Sequence, residues 1–196
     1  MLQNGACTIL GGMDLPLKMP EPSPCYADIR LRALRDDDVA MLENLATDTY
    51  IPTVTSLPAN ADPDGARAFI QRQQSRLETG QGYSFCLATV ATDEAVGHGG
   101  LWLKDIEQGR ATAGYGIAPR SRGHGYAGQA LAALTSFAWT VPDVHRIELY
   151  IEPWNTASVK TAEFAGYERE GLLRSHQVIN AKRVDMLLYA ATRPTV

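Results

Sequence analysis

The 196-residue sequence predicts a single mixed α/β (α+β) domain, built on a mostly antiparallel, twisted sheet flanked by helices. Three observations carry this. Three short apolar runs between residues 83 and 118 are joined by short polar turns, as in an antiparallel meander. From Gly123 the pattern changes to helical spacing. A helix–strand–helix–strand order then completes the chain. The length suits one domain, residues 28–196, preceded by an extension, residues 1–27. With 45% hydrophobic and 20% charged residues, collagen, low-complexity disorder and coiled coil are excluded.

The extension carries Pro16, Pro20, Pro22 and Pro24, and reads as disordered or draped over the surface. Order is expected to begin with the alternating strand Ile29–Leu34. Asp36 or Asp37 can cap a helix through Val39, Met41, Leu42 and Leu45. Residues 48–61 hold Pro52 and Pro58 with little periodicity, and read as a functional loop. Asp62-Pro63 is a helix start, an oxygen acceptor followed by a proline whose missing N–H costs nothing there. Ala66, Phe69, Ile70, Gln73 and Leu77 follow at helical spacing, and Gly80 can close the helix. The meander strands are Tyr83–Val90, Val96–Leu103 and Ala111–Ala118. Ala127, Leu131, Leu134 and Phe137 make the stripe of the next helix. A strand Arg146–Ile151, a helix from Asn155 to Ala165 closed by Gly166, and a strand Val184–Ala191 end the domain.

Twenty-two acids against eighteen bases give a net charge of −4, so nothing asks for nucleic acid, and no basic amphipathic stretch asks for a membrane. No apolar run approaches the roughly 20 residues of a bilayer span. The N-terminus lacks the form of a signal peptide, with no Lys or Arg before Lys18 and with Gly11, Gly12 and Asp14 interrupting any apolar run. Cys7, Cys25 and Cys86 form neither a disulfide framework nor a zinc pattern; reduced thiols, no metal and a cytoplasmic location are expected.

The most informative segment is Ala118-Pro119-Arg120-Ser121-Arg122-Gly123-His124-Gly125-Tyr126-Ala127-Gly128, between a strand and a helix. Glycines let backbone approach a ligand, and the first N–H groups of a helix favour an anion, typically phosphate. Arg120 and Arg122 add charge. Gly123 to Gly128 also fits the dinucleotide pattern G-x-G-x-x-G, with Glu152 near the place of a ribose-binding acid. That reading, an NAD-dependent oxidoreductase, needs the loop after the first strand of a parallel sheet, whereas here a meander precedes it.

The loop equally satisfies R/Q-x-x-G-x-G/A as Arg120-Ser121-Arg122-Gly123-His124-Gly125, and in this it resembles the GNAT N-acyltransferase superfamily. A second segment, His145 to Ser158 with Asn155 and Ser158, then Gly166-Tyr167 and Glu170-Gly171, is similar to the RimJ/RimL-like branch. So are the opening Ile29–Leu34 strand and the closing Asp185 and Tyr189, so the resemblance covers residues 29–192. It implies transfer of an acyl group, acetyl by default and succinyl as the variant, from acyl-CoA to a primary amine by direct attack, without an acyl-enzyme. The acceptor would be a peptide N-terminus or a small-molecule amine, and a homodimer is admitted.

By that resemblance, Ile117 and Ala118 offer backbone groups to the pantetheine arm of CoA. Arg120, Arg122, Gly123, His124, Gly125, Tyr126 and Ala127 form the pyrophosphate loop, in which His124 spaces the glycines. Asn155 would hold the pantetheine arm, cap the last helix, or do both. Ser158 would give a proton to the leaving thiolate, and Lys160 would reach a CoA phosphate or stay solvated. The acid that relatives carry beside the meander strand is missing from Thr112-Ala113-Gly114-Tyr115, and Gln177 stands near a position where relatives carry glutamate. His176, Asp105, Glu107 or a water chain are the substitutes for a base. Acceptor choice is assigned to the Asp48–Ala61 loop, the Leu103–Arg110 turn and the Arg174–Arg183 stretch, all read as irregular; Arg174, Lys182 and Arg183 are the candidate cations for a succinyl group. A CoA- or nucleotide-binding sensor without turnover is the alternative outside enzymology.

Overall fold

The structure, a computed structural model, describes residues 9–10 and 13–195. Cys7 and the start of the extension lie outside the described residues. Two short strands, β1 (Ile9–Leu10) and β2 (Met13–Asp14), pair with each other. The main sheet holds β3 (Cys25–Tyr26), β4 (Ile29–Arg32), β5 (Gly82–Thr89), β6 (Ala95–Trp102), β7 (Arg110–Ile117), β8 (Arg146–Ile151), β9 (Glu168–Ile179) and β10 (Lys182–Thr192). Its spatial order is β3-β4-β5-β6-β7-β8-β10-β9. All neighbours are antiparallel except β7 and β8. A doubly wound parallel sheet, and with it the dinucleotide-binding reading, is thereby excluded.

Helices cover both faces. On one face, α1 (Val39–Ala46), the short α2 (Ile51–Val54) and α3 (Pro63–Glu78) bury Leu42, Leu45, Phe69 and Ile70 against Cys86 and Ala88. On the other, α4 (Tyr126–Ala138) turns Leu131, Leu134 and Phe137 onto Phe85, Leu101 and Ile147, with α5 (Thr156–Phe164) beside it. The caps form as their residue types require. The Asp62 carboxylate accepts from the Gly65 N–H at 2.8 Å, Pro63 occupies the first helical position, and Gly80 closes α3 at φ +71°. Asn155 Oδ1 accepts from the Ser158 N–H at 3.1 Å at the start of α5.

Four expectations need correction. Order starts before Ile29, because Met13 and Leu17 enter the main core and the Leu17 N–H donates to the Leu77 carbonyl at 2.9 Å. The acid that works at the start of α1 is Asp38, not Asp36 or Asp37. It is buried, accepts from the Arg35 N–H at 2.9 Å, and receives both ends of the Arg32 guanidinium at 2.7 and 2.8 Å. The Asp48–Ala61 stretch contains a helical turn, α2, started by the Asp48 carboxylate accepting from the N–H groups of Tyr50 and Ile51. The Arg174–Arg183 stretch is not irregular: β9 runs into β10 as a hairpin. β9 lies at the sheet edge, mostly exposed, so it carries no alternation to read.

Candidate active site

The parallel pairing of β7 with β8 spans only Arg110–Thr112 against Arg146–Glu148, although β7 continues to Ile117 and β8 to Ile151. Beyond Thr112 the strands part, and a cavity of about 790 Å³ lies at the parting, walled from both faces of the sheet. Strand alternation decides which side chain serves which wall. Tyr115 points toward α5, where Ser158 and Thr161 lie beside its hydroxyl. Gly114 points the other way. A Cβ there would lie 2.8 Å from the Trp102 ring, so the glycine lets the indole lie against the strand.

The glycine loop closes one end. The backbone turns through Gly123 at φ +85° and Gly125 at φ +73°, conformations that favour glycine. Gly125 is the residue before α4 and no side chain caps that helix, so its first N–H groups remain unclaimed by a capping side chain. A Cβ built on either glycine meets nothing within 4 Å, which leaves the approach to those N–H groups open. Arg122 locks the loop in place: its Nε donates to the Ile117 carbonyl at 3.1 Å and its Nη2 to Asp48 at 2.6 Å. Burial alone would raise the Asp48 pKa, but the Ile51 N–H and the Arg122 guanidinium outweigh it and hold the carboxyl below its ordinary value.

The α5 side supplies hydroxyls and an amide. Asn155 and Ser158 both face the cavity, and Ser158 spends its backbone N–H, not its hydroxyl, on the helix cap. Burial raises the Tyr115 phenol, and the hydroxyls of Ser158 and Thr161 oppose that rise. The rim is aromatic, with Tyr50 edge-on to the exposed Trp154 at 4.9 Å. Burial and then a hydrogen bond to Glu152 push the Tyr50 phenol up.

The residues singled out from the sequence divide into two groups. Ile117, Arg122, Gly123, Gly125, Tyr126, Ala127, Asn155 and Ser158 come together on the cavity wall. Ala118 and Arg120 do not: Ala118 gives its backbone N–H to the Val96 carbonyl at 2.9 Å and Arg120 gives its own to Asn44 at 3.1 Å, both beside a separate charged depression. His124 is exposed and stacks on Tyr126 at 5.2 Å, and Lys160 is exposed on α5. His176 is off the wall, its ring stacked at 4.9 Å on Tyr150, which is on it. Among the described residues no group of His, Cys, Asp or Glu is placed to hold a metal ion. No described helix is long and apolar enough to cross a membrane.

The wall formed by α3 and β6 holds residues that sequence reasoning missed or passed over. Phe69, Gln73 and Arg76 share one stripe of α3, and all three reach the cavity. The sequence shows Arg76 as an ordinary helix arginine, and only the fold reveals that its turn faces inward. His98 is buried on β6, with its ring edge-on to Phe69 at 5.1 Å and its Nε2 unpartnered. Burial, helped by the nearby Arg76 cation, lowers its pKa to about 4, so the imidazole is neutral near pH 7.

Against this geometry, residues 28–168 match the profile of the acetyltransferase (GNAT) domain. The chain is 28% identical over 162 residues to the uncharacterized N-acetyltransferase p20 of Bacillus licheniformis, covering 83% of this chain and 91% of the relative. RimL, a ribosomal L7/L12 α-N-protein acetyltransferase solved with coenzyme A, superposes with a TM-score of 0.73 at 20% identity, over 86% of this chain and 96% of that one. Spermidine N-acetyltransferase of Vibrio cholerae, solved with CoA and spermine, gives 0.68 at 20% identity, over 84% and 95%. At such identities the solved structures speak for the fold, while the profile, spanning most of the chain, speaks for descent. A sheet that parts beside a glycine loop at a helix start thus has its explanation, and the chain belongs to the acetyltransferase (GNAT) family.

Proposed function

We propose that the chain transfers an acetyl group from acetyl-CoA to a primary amine, with CoA on the loop and α5 side of the parting and the amine on the α3 side. The observation that carries this reading is the parting itself: β7 loses its parallel partner after Thr112, next to open helix N–H groups at Gly125. An extended pantetheine arm needs such a strand edge, and a pyrophosphate needs such donors. The open helix N–H groups offer donors that suit a pyrophosphate, and the cavity offers room for the arm.

In this reading the N–H groups of Tyr126 and Ala127 face the pyrophosphate, with Arg122 fixing the loop. Asn155 and the edge of β7 that β8 leaves unpaired after Thr112 orient the arm. The bound thioester supplies the activated acyl group, which the amine accepts directly. Ser158, whose hydroxyl is not used by the cap, gives a proton to the thiolate as it leaves. The only carboxylate among the described lining residues is Asp48, and Arg122 holds it. The amine therefore reacts from its unprotonated fraction, passing its proton to water; His176, stacked on Tyr150, is not on the cavity wall.

A thiol-release screen tests the assignment, crossing acetyl- and succinyl-CoA with peptides, amino acids and diamines. Saturable release with acetyl-CoA, with kcat/KM rising about tenfold per pH unit below the amine pKa, is expected. CoA binding without release from any pair would instead make the chain a sensor.

A further inference from the structure

On the α3 side the cavity contains a cation with no anion. The Arg76 guanidinium is half-buried, stands 5.6 Å from the centre of the Trp102 ring, and has no carboxylate partner among the described residues. The lining carboxylate, Asp48, is already taken by Arg122 and two backbone N–H groups. Gln73, one turn away, is also committed: it accepts from the Ser84 hydroxyl at 3.0 Å and donates to Ser56 at 3.3 Å. Beside them the buried His98 Nε2 has no partner. A cation with no carboxylate partner and a buried nitrogen with no hydrogen-bond partner on one wall, with Phe69 and Leu57 nearby, describe a site that a ligand completes.

We infer that this corner receives a carboxylate carried into the cavity by a substrate, held by the Arg76 guanidinium with the Trp102 ring behind it and His98 alongside. A planar guanidinium offers two parallel N–H groups that match a carboxylate, and an aromatic face on one side leaves that edge for the ligand. The acceptor class that follows is an amino acid or another amine bearing an acidic group. A polyamine is disfavoured, since it would bring further positive charge against an unpaired arginine. The same chemistry would also hold the free carboxylate of a dicarboxylic acyl group on the donor. The assignment of the carboxylate to an acceptor rests on the acetyl-transfer reading above; the anion site itself does not.

Calorimetry separates these sources. CoA-saturated protein is titrated with the N-acetyl derivatives of phenylalanine, leucine and glycine and with the corresponding carboxamides. Ligand-free protein is titrated with acetyl- and succinyl-CoA. The acids should bind about tenfold or more tightly than their amides, and Arg76→Gln should erase that difference while leaving acetyl-CoA affinity unchanged. Arg76→Lys, which keeps the charge without the fork, should retain part of it, and thermal melts establish that both variants fold. A succinyl-over-acetyl preference that Arg76→Gln abolishes puts the carboxylate on the acyl chain instead. Equal binding of acids and amides together with equal binding of both donors, or any preference that survives Arg76→Gln, overturns the inference. Failure of CoA to bind sinks the transferase reading alone, because the acid–amide comparison is then made without CoA.

Discussion

Ser158 and His98 show how one side chain's neighbours set its use. Ser158 caps α5 through its backbone, so removing the hydroxyl leaves the cap intact. Ser158→Ala should therefore lower kcat about 100-fold while changing CoA affinity by less than about threefold. A variant with normal turnover would reduce the residue to a part of the wall. His98 gives a stability prediction. Its folded-state pKa is about 4 against an ordinary 6.5, so between those values the unfolded chain binds the proton and the folded chain does not. Stability is then complete above pH 6.5 and falls as the pH drops toward 4, by up to about 3 kcal/mol. In urea titrations at pH 7.5 and 4.5, His98→Gln should lose less stability than the wild-type chain; parallel losses would contradict the burial argument.

At the scale of elements, two side-chain caps, one an amide and one a carboxylate, allow a controlled comparison. Asn155 caps α5 at the cavity, whereas Asp62 caps α3 away from it. Asn155→Ala and Asp62→Ala should each cost about 1 kcal/mol in denaturation, but only the first should weaken CoA binding in calorimetry. Gly125→Glu should abolish CoA binding, since it forces a side chain into a φ of +73° and sets negative charge at the helix start. Retained affinity there would move the pyrophosphate elsewhere. Elements with strong local signals were legible in the sequence: Asp62-Pro63 for α3, alternation for the meander, Gly166 for the end of α5. β9 was not, because a largely exposed edge strand needs no strong apolar period. Nor was α2, a single turn nucleated by the side-chain bonds of Asp48.

For the whole molecule, the site is a consequence of topology. A meander delivers β7, α4 crosses over, and β8 returns parallel to β7 for three residues before the two separate. The loop, Asn155 and Ser158 could be read from the sequence because they sit within 40 residues of one another in fixed order. The opposite wall could not, because Asp48 precedes α2, Arg76 lies on α3 and His98 and Trp102 lie on β6, three places far apart in the chain with no shared spacing. Their partners, or lack of them, exist only once the chain is folded. The central claim is that acyl-CoA lies in the parting of β7 and β8. Amide hydrogen exchange with and without acetyl-CoA tests it most directly. The account predicts added protection in the second half of β7, the Gly123–Gly128 loop and the first turn of α5. Protection confined to the charged depression around Arg32, Arg35 and Arg120, or none anywhere, would contradict it.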